Sequence, residues 1–154
     1  MRGRGTVFDC MVFVQAIASP GSAHRCYQRA VDSGEPLWVS SETLDELQEV
    51  LQRPQLQRRL PGITKERVDA LMHHLRAMAH LIEPVPMHFD FPPDPKDEPY
   101  LNLAIEARAS FLITRDKALL KLGAPGDPLA DSLRAIHPAL FVVVPEVFLA
   151  AGCP

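Results

Sequence analysis

The chain has 154 residues and a formal net charge of −3, with 47% hydrophobic and 23% charged residues. One domain across residues 1–154 is the expectation, and disorder is excluded by the apolar content. No apolar run approaches the roughly 18 residues of a membrane span. The basic run Met1–Gly5 is followed by Asp9 without a small-residue cleavage site, so no signal peptide is expected. Cys10, Cys26 and Cys153 are odd in number and irregularly spaced, which fits neither a disulfide framework nor a zinc knuckle and points to a reducing, cytoplasmic setting. A mildly acidic chain does not have the charge of a general nucleic-acid binder. The 15 prolines fall mainly between periodic segments and act as punctuation.

In chain order, Thr6–Asp9 reads as a short buried strand, and Cys10–Ala18 as a helix stopped by Ser19-Pro20-Gly21. Ser22 is placed to cap a helix from Ala23 to about Asp32, and Leu37–Val39 reads as a second strand. Ser40 or Ser41 caps a helix through about Gln52, with Leu44, Leu47, Val50 and Leu51 as its apolar stripe. A short helix at Gln55–Leu60 and a longer one capped by Thr64 follow. Leu81–Val85 is a candidate third strand, and Pro84–Pro99 a loop. Pro99 opens a helix running to Ala109. Phe111–Thr114 is a fourth strand, Asp116–Lys121 a short helix, Gly123–Pro128 a loop, Phe141–Val144 a fifth strand, and a final helix ends near Ala150. Alternation of short apolar strands with helices predicts an α/β fold around a parallel sheet of about five strands.

In such sheets, sites form at the carboxyl ends of the strands. Asp9 interrupts the apolar run Val7–Val14 there, where a carboxylate is costly unless paired or metal-bound. A satisfied helix cap is the competing reading. Asp116 ends Phe111–Asp116 at a similar corner and carries the same two readings. Asp94, Asp97 and Glu98 crowd the start of the Pro99 helix. With Pro99 at the first helical position, Glu98 falls at the cap, a place glutamate fills poorly. Glu46 shares a face with Glu42, Glu49 and Arg53, which by pattern alone reads as solvated surface.

Several carboxylates at strand ends suit Mg²⁺ or Mn²⁺, hard cations that polarise phosphoryl oxygens and activate water. Walker, GxGxxG, HExxH and GxSxG motifs are missing. His73, His74 and His80 lie on or just beyond one helix, read either as zinc ligands or as a wet face. Arg53, Arg58, Arg59, Lys65 and Arg67 cluster in one stretch, read either as a track for an RNA backbone or as ordinary surface.

Four segments in order resemble a PIN domain: Val7–Ala16 with its acid, Ser41–Leu47 with its glutamate, Asp94–Ala104, and Phe111–Asp116 with Thr-x-Asp. The resemblance runs from Val7 to about Leu149 and is nearest to the toxin component of bacterial toxin–antitoxin pairs. It implies a three-layer α/β/α sandwich and a metal-dependent ribonuclease. By position it makes Asp9, Glu46, Asp97 and Asp116 the catalytic, Mg²⁺- or Mn²⁺-binding acids. Thr114 then orients Asp116 or a metal water. Glu98 is the alternate to Asp97, with Asp97 favoured. Arg53 and Arg115 become candidate substrate contacts. Many members carry Asn two residues after the first Asp, where this chain has Met11. Met cannot position a metal water or carboxylate, which sustains a second reading: a catalytically weak or silent module acting in RNA or protein binding. The resemblance further implies an RNA substrate, a cognate antitoxin and a homodimer, and no membrane. The apolar segment Val147–Ala151 reads equally as core or as dimer contact.

Overall fold

The structure, a computed structural model, describes residues 5–151; Met1–Arg4 and the stretch holding Cys153 lie outside the described residues. Strand β1 (Thr6–Phe8) leads into α1 (Cys10–Ala18) and α2 (Ser22–Asp32). Then come β2 (Leu37–Ser40), α3 (Ser41–Leu51), α4 (Pro54–Arg59), α5 (Lys65–Met78) and β3 (His80–Ile82). After a long loop follow α6 (Glu98–Ala107), β4 (Phe111–Ile113), α7 (Lys117–Leu120), α8 (Pro128–Ile136), β5 (Phe141–Val143) and α9 (Pro145–Ala151).

The five strands form one all-parallel sheet in the order β3-β2-β1-β4-β5. Val7 pairs with Trp38 on one side and Leu112 on the other. The strand order reverses direction at β1, so the carboxyl ends of β1 and β4 border the crevice where open α/β sheets place their sites. Helices flank the sheet in an α/β/α arrangement: α6 packs across β1, β2 and β4, α9 packs on β4, and α1 joins α2, α3 and α5. The strands are buried because both faces are covered: Val7, Phe8, Leu112 and Ile113 are at most 1% exposed. Gly5 opens β1 at φ +82°, and a Cβ there would lie 1.9 Å from the Pro36 carbonyl oxygen, so only glycine lets β1 come this close to the residue before β2.

Several boundaries differ from the sequence reading for local reasons. Ser22 is the first residue of α2 and not its cap; its hydroxyl donates to Glu146 at 2.6 Å. The third strand is His80–Ile82, starting one residue before and ending three residues before the expected Leu81–Val85, because Pro84 supplies no N–H to the ladder. Helix α6 stops at Ala107, where Arg108 turns left-handed at φ 53°. Helix α8 falls where no element was expected; Asp127 caps it through Leu129 and Ala130 N–H, and Pro128 opens it. The C-terminal apolar segment packs on the domain's own core, with Phe148 buried edge-on against Phe111 at 5.1 Å.

Candidate active site

The site starts with two strand ends. Asp9 follows β1 and Asp116 follows β4 by three residues, separated from it by Thr114 and Arg115. Extended backbone alternates its side chains, so Thr114 and Asp116 share one side and Arg115 takes the other. Thr114, fully buried, donates from Oγ1 to Asp9 Oδ2 at 2.8 Å and accepts the Asp116 N–H at 2.9 Å. One hydroxyl thereby couples the two acids across the β1–β4 junction.

The helix-cap reading holds for Asp116 and not for Asp9. Asp116 caps α7 by accepting Ala118 and Leu119 N–H, both on Oδ1, leaving Oδ2 outside that cap. Asp9 precedes α1 but makes no side-chain cap bond to it. It is 8% exposed, and burial pushes its carboxyl up to about 6 against the hydrogen bond from Thr114, with repulsion from Asp116 and Glu46 adding to the rise.

The third acid arrives from the proline-rich loop, which is irregular but firmly held. Phe89 and Phe91 are buried in the core. Buried Asn102 on α6 accepts His88 and Phe89 N–H at 2.6 and 2.9 Å and donates to the Phe89 and Glu98 carbonyls. Glu98 accepts Phe91 N–H at 2.8 Å. Glu98 is thus the first residue of α6 and a pin for the loop; Asp97, not Glu98, flanks the helix. The loop presents Asp97 to the other acids. Asp97 is 7% exposed and, among the described residues, its Oδ2 has no hydrogen-bond partner. Burial first, then repulsion from Asp9, Asp116 and Asp94, pushes its carboxyl up to about 8.

Asp94, Asp97 and Asp116 each offer an oxygen within 4.8 Å of the others, the one grouping of potential metal ligands this tight among the described residues. Asp94 was seen in the sequence but assigned no role; its spacing of three from Asp97 across a single 3₁₀ turn was the available signal. Asp9 and Glu46 lie outside that tight triad; Asp9 repels Asp97 and is itself repelled by Asp116, while Glu46 reaches only as far as Asp9. Glu46 is half-buried on α3, and its Oε1 accepts the hydroxyl of Tyr100, a buried α6 residue. Tyr100 is raised above the ordinary phenol range, by burial first, then by Cys10 and Glu46, so it stays a donor. Burial, with Glu46 and Asp9 nearby, likewise pushes the Cys10 thiol up to about 12 and keeps it neutral.

The donor set tests well against a hard divalent cation. Every donor is a carboxylate oxygen, the acids converge with no Lys or Arg ion pair to them among the described residues, and one buried carboxylate oxygen is orphaned there. The histidines sit elsewhere. Tyr27 pairs with His74 Nδ1, and His80 packs edge-on to Trp38. Arg115 donates to Gln15, Ser22 and both oxygens of Glu146, which holds Glu146 down at about 2 and ties α9 to α1 and α2. Arg53 is exposed and pairs with Glu49 at 3.0 Å.

The sequence matches the PIN domain family over residues 5–118. This chain belongs to the PIN domain family. The matched stretch holds β1 to β4 and all five acids, while α8, β5 and α9 complete the fold beyond it. PIN domains are typically metal-dependent nucleases, and this PIN domain carries the acidic cluster such chemistry needs. No curated protein gives a match to the chain. Among the described residues, no helix is long and apolar enough to cross a membrane.

Thr114→Val in this PIN domain removes the donor to Asp9 and the acceptor for Asp116 N–H while keeping side-chain volume. Losing buried hydrogen bonds of this kind costs about 1–3 kcal/mol, and misplacing a ligand's supporting group costs about 10- to 100-fold in metal affinity. A denaturant melt and a Mn²⁺ titration by calorimetry check both; an unchanged titration would show that Thr114 does not orient the acids.

Proposed function

We propose that this PIN domain is a ribonuclease that hydrolyses RNA phosphodiesters with Mg²⁺ or Mn²⁺, acting as the toxin component of a toxin–antitoxin pair in the cytoplasm. The observation that carries the hydrolytic reading is the unpartnered, buried Oδ2 of Asp97 inside a cluster of acids at the β1–β4 switch point. Asp9, Glu46, Asp97 and Asp116 are the acids we assign to the metal site, with Asp94 as an additional ligand beside Asp97. When bound, the cation supplies Lewis acidity toward the phosphoryl oxygen and lowers the pKa of water.

The residues themselves do the positioning. Thr114 fixes Asp9 relative to Asp116, so the two strand ends act as one unit. The cap bonds hold Asp116 Oδ1 and set the direction of its other oxygen. Tyr100 holds Glu46 at the rim. Asn102 and Glu98 keep the loop closed on Asp97, which keeps bulk water from solvating that carboxylate. Repulsion among unneutralised carboxylates makes the site favour positive charge over a bare anionic substrate.

Support for the toxin role, a cognate antitoxin and a homodimer comes from the family resemblance. The second reading, a catalytically silent module that binds RNA or protein, draws on Met11, which is 40% exposed two residues after Asp9 and offers no oxygen to the site.

The test is cleavage of a mixed RNA pool by the purified chain with Mn²⁺, with Mg²⁺ and with EDTA. Cleavage with either metal that EDTA abolishes is the expected result. A folded protein that binds Mn²⁺ yet leaves the pool intact under every condition would replace the nuclease reading by the silent module.

A further inference from the structure

Helix α4 is attached to the end of α3: Gln57 donates to the Leu51 carbonyl, and Leu56 is buried. Because α3 also packs against α1, α4 is carried alongside the first turn of α1, the turn that follows Asp9. A concave cavity of about 420 Å³ lies between them. Its apolar part is Val50, Leu56 and the exposed Met11, and its rim carries Arg53, Arg58 and Arg59.

The three arginines have little else to do. Arg58 and Arg59 are exposed and have no ion pair or side-chain hydrogen bond among the described residues. Arg53 has only its exposed pair with Glu49, a kind of contact worth a few tenths of a kcal/mol and easily given up to a phosphate. Exposed guanidinium groups on one rim, two of them without an anionic partner among the described residues, suit an anionic ligand such as phosphate. The apolar floor says what kind. A duplex shows its phosphates but hides the faces of its bases, so it has no use for Met11 or for the floor. A single strand has both a phosphate backbone for the arginines and unstacked bases for a polarisable thioether.

We propose that this groove is a track for single-stranded RNA, in which Arg53, Arg58 and Arg59 hold consecutive phosphates and Met11 seats a base beside the acidic cluster. The assignment rests on the nuclease reading for its purpose, but binding in the groove does not require cleavage. Met11 thereby has a role in seating substrate in place of one in holding metal. The groove also reconciles a net charge of −3 with RNA binding: three arginines are concentrated on one rim, and Arg53 among them acts on the same Cys10 as Asp9 and Glu46 do.

The experiment measures binding of a fluorescently labelled 12-nucleotide single-stranded RNA by anisotropy, in EDTA so that no cleavage intervenes, over a range of salt. For Arg58→Ala/Arg59→Ala the slope of log affinity against log salt is expected to flatten by about 1.4, two phosphate contacts at about 0.7 each. For Met11→Ala the slope stays as in the parent while affinity falls about 2- to 10-fold, the range of a thioether–ring contact. All changed side chains are exposed, and circular dichroism checks that the fold is kept. An unchanged slope for the double variant overturns the track. So does equal affinity for the same sequence as a duplex, or tighter binding of a poly-glutamate peptide, which would make the groove a seat for an acidic protein segment. Loss of cleavage in the parent with these binding effects intact would sink the nuclease reading and leave the track standing.

Discussion

Asp9→Asn is expected to reduce metal-dependent RNA cleavage by about 10²- to 10³-fold, the usual cost of removing one group that stabilises transition-state charge. It is also expected to leave the fold at least as stable as the parent. The two effects have one cause. Asp9 is 8% exposed and is pushed up to about 6 because burial disfavours its charge. The asparagine amide has nearly the same shape, and its carbonyl oxygen can still accept from Thr114 Oγ1, so the bridge between β1 and β4 persists. What disappears is the negative charge, which costs the folded chain stability and which a divalent cation requires. A residue kept only for packing would give the opposite pattern, with lost stability and retained chemistry. Cleavage rates in Mn²⁺ and a thermal melt in EDTA, made on the same preparation, decide it. A stable variant that cleaves at the parental rate would remove Asp9 from the mechanism.

The acids at the strand ends were legible because each closes an apolar run, and nothing but a special use or a cap puts a carboxylate there. Thr114–Asp116 shows how far such reading reaches. The alternation of an extended chain predicts that Thr114 and Asp116 work together, and they do so through one hydroxyl. The same alternation sends Arg115 to Glu146, Ser22 and Gln15, up to 100 residues away in the chain, which no local pattern reveals. Glu46 is a similar case. Its helix face carries Glu42 and Glu49 as well, and only Tyr100, 54 residues later, distinguishes it. The difference between Asp97 and Glu98 depends on a loop contact that follows no helix or strand period, the Glu98 bond to Phe91 N–H seven residues back, which turns one of two adjacent acids to the loop. The parallel sheet needed none of this, since burial on both faces writes itself into continuous apolar strands. Helix α8 was missed although Asp127-Pro128 is a sound helix start, because the glycines before it read as a loop that continued.

Without metal, stability is expected to fall as pH rises from about 4 to about 8, and divalent cation is expected to restore it at the upper end. The sign follows from the two raised carboxyls. Asp9 and Asp97 hold their protons up to about 6 and about 8 in the fold, against 3.8 in the unfolded chain. Between those values the folded state binds more protons, so each unit of pH favours unfolding. Their contribution is fully present below pH 3.8 and is lost as pH passes through the folded values. One pKa unit is about 1.4 kcal/mol, so even half of the rise at Asp97 corresponds to about 3 kcal/mol. For a domain of this size that is about 6–12 °C in Tm. Asp97→Asn isolates the effect, because its amide can donate to the neighbouring carboxylates of Asp94 and Asp116 at every pH. At pH 8 in EDTA the variant should melt above the parent by roughly that interval, and at pH 4 the two should coincide. Mn²⁺ should raise the parent's Tm strongly at pH 8 and weakly at pH 5, where protons compete for the same oxygens. The variant, lacking the carboxylate that we assign to the cation, should respond little at either pH. A variant that melts below the parent at pH 8 would mean that Asp97 contributes more through packing than it costs through charge, and the orphaned oxygen would then not mark a metal site.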